Sequence, residues 1–243
     1  MEKLIKIGHR GFRVGVDENT ADAFDKAVEL DMNYIECDVR MSKDDIMVII
    51  HDATVDRTFE GTGSVNDMTL NELKSLKAVK TGATILTAEE VIEQYSDKIK
   101  LMLEVKDPKV PKPLADLIRT KQKKDRVVFS GRDPAQFKEI QKMIPDAVFC
   151  HNITKSKSFS EKDLYKCETL EELPVEYDMI SLSLQRISRK FINKCRELGI
   201  KSLCWNFLKS RRPLKRTYKI MERGVDGILF DHPKIAEEFI GSS

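Results

Sequence analysis

The sequence predicts an α/β protein closed into a (β/α)8, or TIM, barrel, and its segment pattern carries that expectation. Eight short apolar segments recur along the chain, at 4–8, 34–39, 99–105, 126–130, 146–150, 178–183, 200–205 and 225–230. Stretches with helical apolar spacing separate or follow them, at 20–30, 87–96, 111–123, 133–144, 188–198, 211–223 and 233–240. Strands alternating with helices imply repeated βαβ units and a parallel sheet. A count of eight, joined by right-handed crossovers, favours closure into a barrel. An open doubly wound sheet is the alternative, but no Gly-rich dinucleotide loop follows the first segment.

Taken in order, Met1-Glu2-Lys3 leads into the apolar run Leu4-Ile5-Lys6-Ile7. That run is too short for a signal h-region or a membrane span, so stable membrane insertion is not expected and the default location is cytoplasmic. Two stretches break the alternation. At 47–86 a short apolar run, MVII, precedes polar, Gly-containing sequence with a small helix signal at Thr69–Leu73, which reads as an insertion after the second strand. At 151–177 the chain is rich in Lys, Ser and Glu and is placed only loosely. No repeat, low-complexity tract or linker divides the chain, so residues 1–243 are expected to form one barrel domain, a usual length for this architecture.

Composition narrows the function classes. A net charge of +2 gives no reason to expect a nucleic-acid partner. The five cysteines, Cys37, Cys150, Cys167, Cys195 and Cys204, are odd in number and widely spaced, unlike a disulfide framework or zinc knuckle. Lys209, Arg211, Arg212, Lys215, Arg216 and Lys219 form a basic segment, read first as a solvated helix face and otherwise as attraction to an anionic lipid surface. Arg119, Lys121, Lys123 and Lys124 complement the dipole at a helix end.

Active sites in barrels form at the C-terminal ends of the strands. Strand one ends in Gly8-His9-Arg10-Gly11, strand two carries Glu36-Cys37-Asp38, the short run after it ends in His51-Asp52, and the next strand ends in Glu104-Val105-Lys106. Glu36 and Asp38 are two apart and share one face of a strand. With Glu104 they make a cluster of like charge that is costly unless a hard cation sits among the oxygens, and Mg²⁺ or Ca²⁺ suits an all-carboxylate set. The alternative is a salt-bridge layer with Arg10 and Lys106. His9 and His51 flank the cluster as a candidate acid/base pair. His151 and His232 lack such a setting and read as structural or surface residues.

The run His9-Arg10-Gly11, then Glu18-Asn19-Thr20-Ala21-Asp22-Ala23-Phe24, resembles the opening of the glycerophosphodiester phosphodiesterase family. So do Ile35-Glu36-Cys37-Asp38-Val39, His51-Asp52, Arg57-Thr58, Gly61-x-Gly63, Thr69-x-x-Glu72-Leu73 and Glu104-x-Lys106. Trp205, Gly224–Ile228 and Asp231-His232-Pro233 complete the ordered set. The likeness is dense over 5–106 and returns at 200–233, with a weak middle. It implies a barrel with a small insertion after strand two, metal ligands at Glu36, Asp38 and Glu104, and acid/base histidines at His9 and His51. It further implies phosphate-holding cations at Arg10 and Lys106 and a glycerol-side aromatic at Trp205. The implied reaction is metal-dependent hydrolysis of a small-molecule glycerophosphodiester to glycerol 3-phosphate and an alcohol. Attack by a glycerol hydroxyl, giving a cyclic phosphate, and direct attack by water both suit these residues.

The chain departs from the pattern in several places: Asp17 and Leu86 stand where proline is usual, Asp45 where glycine is usual, and Asn206-Phe207 replaces Thr-x-Asn. None removes a candidate ligand or histidine. Two rivals remain. A lysophospholipase D would need an apolar channel at the mouth, and a catalytically silent glycerol-phosphate-binding barrel should lack an acid or a histidine of the set.

Overall fold

Eight parallel strands close on themselves in the computed structural model, which describes residues 4–208 and 210–239. In chain order the strands are β1 (Ile5–His9), β2 (Tyr34–Met41), β3 (Met47–Ile49), β4 (Lys100–Val105), β5 (Val127–Gly131), β6 (Val148–Asn152), β7 (Met179–Ser183), β8 (Lys201–Trp205) and β9 (Gly227–Phe230). β1 pairs with both β9 and β2, with Ile7 opposite Leu229 and His9 opposite Glu36, which closes the ring. β3 lies outside it, antiparallel to the end of β2, with Val39 opposite Ile49.

The helices are α1 (Ala21–Glu29), α2 (Leu70–Ser75), α3 (Ala88–Tyr95), α4 (Pro111–Thr120), α5 (Pro134–Met143), α6 (Glu161–Leu164), α7 (Arg189–Glu197), α8 (Pro213–Met221) and α9 (Pro233–Glu237). Local chemistry sets their starts. Thr20 and Ser188 cap α1 and α7, and Thr69 with Glu72 and Thr87 with Glu90 form capping boxes. Proline opens α4, α5, α8 and α9, where its missing N–H costs nothing. The pattern read as helical to 123 stops at Thr120, because Gln122 turns to φ 55°. The basic segment loses Lys209, and the helix expected at 233–240 loses its last residue, to positions outside the described residues.

Strand alternation sorts the core into two layers. Ile7, Met102, Val128, Cys150, Met179, Leu203 and Leu229 fill the barrel interior. Their neighbours, among them Ile35, Cys37, Leu103, Phe129, Phe149, Leu182 and Phe230, face outward against the helices. Continuing the inward register upward from Tyr34, Ile7 and Met102 places Glu36, Asp38, His9 and Glu104 above the apolar plug.

Both irregular stretches take definite form. Residues 47–86 carry β3 and α2 around a small core of their own, including Val48, Val55, Phe59, Leu73 and Ile85. Asp17 fastens this insertion, its Oδ2 accepting from the backbone N–H of Lys80 at 3.0 Å and of Thr81 at 2.8 Å. Asp45 stands at φ 57°, the left-handed region that glycine tolerates best. Over 151–177 the crossover has only the one-turn α6 and a short 3-10 turn at Leu170–Glu172. Aromatic packing fills the gap: the His151 ring stacks on Tyr177 at 4.9 Å, between Phe137 and Phe159. All five cysteines are buried and free. No helix among the described residues is long and apolar enough to cross a membrane.

Candidate active site

The turn after β1 presents His9 and Arg10. Gly8 and Gly11 make its tight path possible: a Cβ at Gly8 would lie 2.4 Å from the Gly11 carbonyl oxygen, and Gly11 holds φ +73° against the backbone of Ala23. Arg10 takes φ 57°, and its N–H donates to Glu36 Oε2 at 2.9 Å. Asn19, at φ 60°, donates from Nδ2 to Asp38 Oδ2 at 2.9 Å.

Glu36, Asp38 and Glu104 converge, each offering a carboxylate oxygen within 4.8 Å of the others. All three are buried. Burial, with Asp38 and Glu104 alongside, pushes the Glu36 carboxyl well above the usual range. Asp38 is held low against its burial by Lys106 and Arg10, and Glu104, also buried, is held low chiefly by Lys106. Both the cluster and the salt-bridge layer weighed as its alternative are therefore present. Lys106 Nζ lies 3.0 Å from Asp38 Oδ1 and 2.8 Å from Glu104 Oε1, and Arg10 Nε lies 3.1 Å from Asp38 Oδ2 without the alignment of a hydrogen bond. Yet Glu36 Oε1 is buried with no hydrogen-bond partner.

The two candidate histidines both line the cleft above this floor, each backed by an aspartate. His9 Nδ1 lies 2.7 Å from Asp231 Oδ1, and His51 Nδ1 lies 2.6 Å from Asp52 Oδ1. His9 Nε2 is 3.9 Å from Glu36 Oε2. Burial lowers the His51 pKa, with Lys106 and Arg10 adding to the effect and Asp38 and Asp52 opposing it. Glu18 stitches the site together, accepting from Arg10, Arg13 and Arg57 and titrating far below the usual carboxylate range despite its burial. Trp205 meets His9 edge-on at 6.1 Å.

These groups floor a cleft of about 580 Å³ at the barrel mouth, lined by His9, Arg10, Glu36, His51, Glu104 and Trp205 among others. Asp38 and Lys106 stand behind that lining.

Residues 9–235 match the Glycerophosphoryl diester phosphodiesterase family. The chain belongs to that family. It is 33% identical over 248 residues, 96% of each chain, to the glycerophosphodiester phosphodiesterase of Caldanaerobacter subterraneus. Two solved structures share the fold. One is a glycerophosphodiester phosphodiesterase from Agrobacterium tumefaciens, with a TM-score of 0.81 and 23% identity over 97% of this chain and 99% of that one. The other is a phosphodiesterase from Oleispira antarctica in complex with the product sn-glycerol-3-phosphate, with a TM-score of 0.80 and 22% identity over 98% and 96%. As a member of the glycerophosphoryl diester phosphodiesterase family, the protein is a phosphoric diester hydrolase.

The eight residues singled out in the sequence as site candidates gather at one end of this family barrel. His151 and His232 stay apart from them, the first in the aromatic packing beside α5 and the second capping α9, its Nδ1 accepting from the Lys234 N–H at 3.2 Å. Sequence reasoning gave no role to Asp231, Glu18, Asn19, Arg13 or Asp52, although all except Arg13 stand inside the motif runs. Three cations in the cleft lining, Arg132, Lys155 and Arg186, were also missed. They lie in the stretch of weak resemblance, and only their position just past strand ends could have marked them.

Proposed function

We propose that this hydrolase cleaves a small glycerophosphodiester to glycerol 3-phosphate and an alcohol. In this reading Glu36, Asp38 and Glu104 hold one divalent cation, Mg²⁺ or Ca²⁺, and His9 and His51 transfer the protons. The observation that carries it is the buried, convergent carboxylate set beside two aspartate-backed histidines. The set fits a hard cation: it is all oxygen, Glu36 Oε1 has no hydrogen-bond partner, and burial beside Asp38 and Glu104 pushes the Glu36 carboxyl well above its usual range. Bound there, such a cation supplies electrostatic stabilisation of the charge that builds on the phosphoryl oxygens.

The chain's own groups do the rest. One histidine removes the proton from the attacking oxygen, a glycerol hydroxyl or water, through its Nε2, and the other protonates the departing alcohol. Where the hydroxyl attacks, water then opens the cyclic phosphate with the two histidines exchanging roles. Each is oriented through Nδ1 by its aspartate, which fixes the tautomer. Arg10 and Lys106 add positive charge beside the phosphate, and Trp205 flanks the glycerol side. The product bound in the Oleispira relative accords with a glycerol phosphate pocket. Residues 1–243 are proposed to work as one barrel domain, and five buried free thiols fit a reducing compartment such as the cytoplasm.

Neither rival has comparable support. A silent binding barrel should lack an acid or a histidine, and none is missing. A lysophospholipase D needs an apolar channel, whereas only Met102, Trp205 and Leu229 are apolar in this cleft lining. The test is release of glycerol 3-phosphate from glycerophosphoglycerol by purified protein, abolished by EDTA and restored by Mg²⁺ or Ca²⁺. Turnover indifferent to EDTA overturns the metal assignment, and no turnover with either ion overturns the substrate.

A further inference from the structure

We infer that the preferred substrate carries a second negative charge on its alcohol side, a phosphate above all, and that Arg132, Lys155 and Arg186 hold it. This rests on the phosphodiesterase reading above and specifies its substrate class.

The cleft is electrostatically lopsided. Carboxylates and histidines come from β1 to β4, whereas the ends of three consecutive strands on the other side each contribute one cation to the lining. Arg132 follows β5, Lys155 follows β6 and Arg186 follows β7. The other two lining arginines are already matched, Arg10 by Glu18 and Asp38, and Arg13 by Glu18 and Asp231. The three wall cations are not matched to the same degree. Arg132 Nε is buried with no hydrogen-bond partner, 3.9 Å from Glu104 Oε1. Lys155 is exposed and forms no ion pair among the described residues. Arg186 places one nitrogen 2.9 Å from Glu161 Oε2, which steadies the side chain while the rest of its guanidinium stays available. A buried donor without a partner costs free energy until an acceptor reaches it, and arginines satisfy phosphate oxygens especially well.

The acids of the lining point the same way. Glu36 and Glu104 are its only carboxylates, and both belong to the floor cluster. A quaternary or primary ammonium head group therefore meets three cations and no free carboxylate along the wall, while an anionic group meets three donors. In the same lining, Asn206 Nδ2 donates to Gln185 Oε1 at 3.1 Å, and the two side chains offer hydrogen bonds to an uncharged polyol linker.

Three substrates sharing the glycerol half test this: glycerophosphoglycerol phosphate, glycerophosphoglycerol and glycerophosphocholine. The expected order of kcat/KM runs anionic, neutral, cationic, with about 10-fold or more between the extremes. Arg132→Ala, Lys155→Ala and Arg186→Ala should each lower the anionic-to-neutral ratio by about 3–10-fold, mainly through KM, and Arg132→Lys should lose part of it, since the charge stays but the Nε donor and the guanidinium fork go. Arg211, Arg212 and Arg216 line a separate groove that meets the cleft at Gln185, and the triple alanine variant there is the control for long-range attraction. A flat or inverted order in the wild type overturns the inference. So does a control variant that lowers the ratio as far as the wall variants do. Release of glycerol 3-phosphate from none of the three substrates overturns the phosphodiesterase reading itself, and this inference with it.

Discussion

His9 Nδ1 and Asp231 Oδ1 stand 2.7 Å apart across the seam where β1 and β9 pair, 222 residues distant in the chain. His51 and Asp52 repeat the relationship at 2.6 Å between neighbours in sequence. A carboxylate at Nδ1 holds the proton there and leaves Nε2 for chemistry. Asp231 also accepts from the backbone N–H of Phe207 at 2.9 Å, so it ties the β8 loop to the same histidine. Asp231→Asn should keep that acceptor but lose the preference for one tautomer. The expected result is a kcat lower by about 10²–10⁴-fold with KM little changed and the pH profile altered. A kcat within a few-fold of wild type, read by steady-state kinetics, would remove Asp231 from the proton path.

The histidines themselves should matter as a pair. His9→Ala and His51→Ala are each expected to lower kcat by about 10²–10⁴-fold, the range for a positioned acid or base. Because both act in one reaction, the double variant should fall well short of the product of the single losses. Circular dichroism and melting temperature identify any variant that lost its fold. A His51→Ala protein keeping more than about a tenth of the activity would end the assignment.

The carboxylate floor predicts a metal effect on stability as well as on turnover. Glu36 is buried beside Asp38 and Glu104 and titrates high for that reason. An ion bound only by the folded protein adds RT ln(1 + [L]/Kd), about 2.7 kcal/mol at one hundred times Kd. In a chain of this size that raises Tm by roughly 5–10 °C. Glu36→Gln should remove most of the gain, and it should melt no lower than wild type in EDTA because one like charge has left the cluster. Thermal scans in Mg²⁺, Ca²⁺ and EDTA read both effects. Identical melting of the wild type in all three would show that the cluster holds neither ion.

Barrel and floor were legible in the sequence because both are periodic. Ile5, Ile7 and His9 alternate inward along one strand, as do Tyr34, Glu36 and Asp38 along another, so a polar residue continuing an apolar stripe marks the site directly. Asp17 and Asp45 read only as departures, since the backbone amides of 80–81 and a left-handed turn are tertiary facts. Arg132, Lys155 and Arg186 stayed hidden because a cation past a strand end has no period, and the one-turn α6 erased the helical signal around Lys155. His151 read only as structural or surface, because its burial depends on Tyr177 and Phe159, which no local pattern brings to it.

That burial makes His151 an acid-sensitive point of the fold. The ring is enclosed by aromatic side chains, its Nε2 lies 3.1 Å from the Phe159 carbonyl oxygen, and desolvation lowers its pKa from 6.5 to about 4. The sign follows from proton binding. Between pH 6.5 and about 4 the unfolded chain takes up a proton that the folded chain refuses, so stability is lost as pH falls through that window. Each unit corresponds to about 1.4 kcal/mol, so wild type should lose about 2 kcal/mol more than His151→Phe between pH 7.5 and pH 5. The variant should start lower at pH 7.5, by about 1–3 kcal/mol, because the Phe159 carbonyl loses its partner. Urea unfolding at both pH values separates the offset from the slope. Equal losses in the two proteins would mean that the folded ring titrates near its ordinary pKa, with water reaching it through the short crossover.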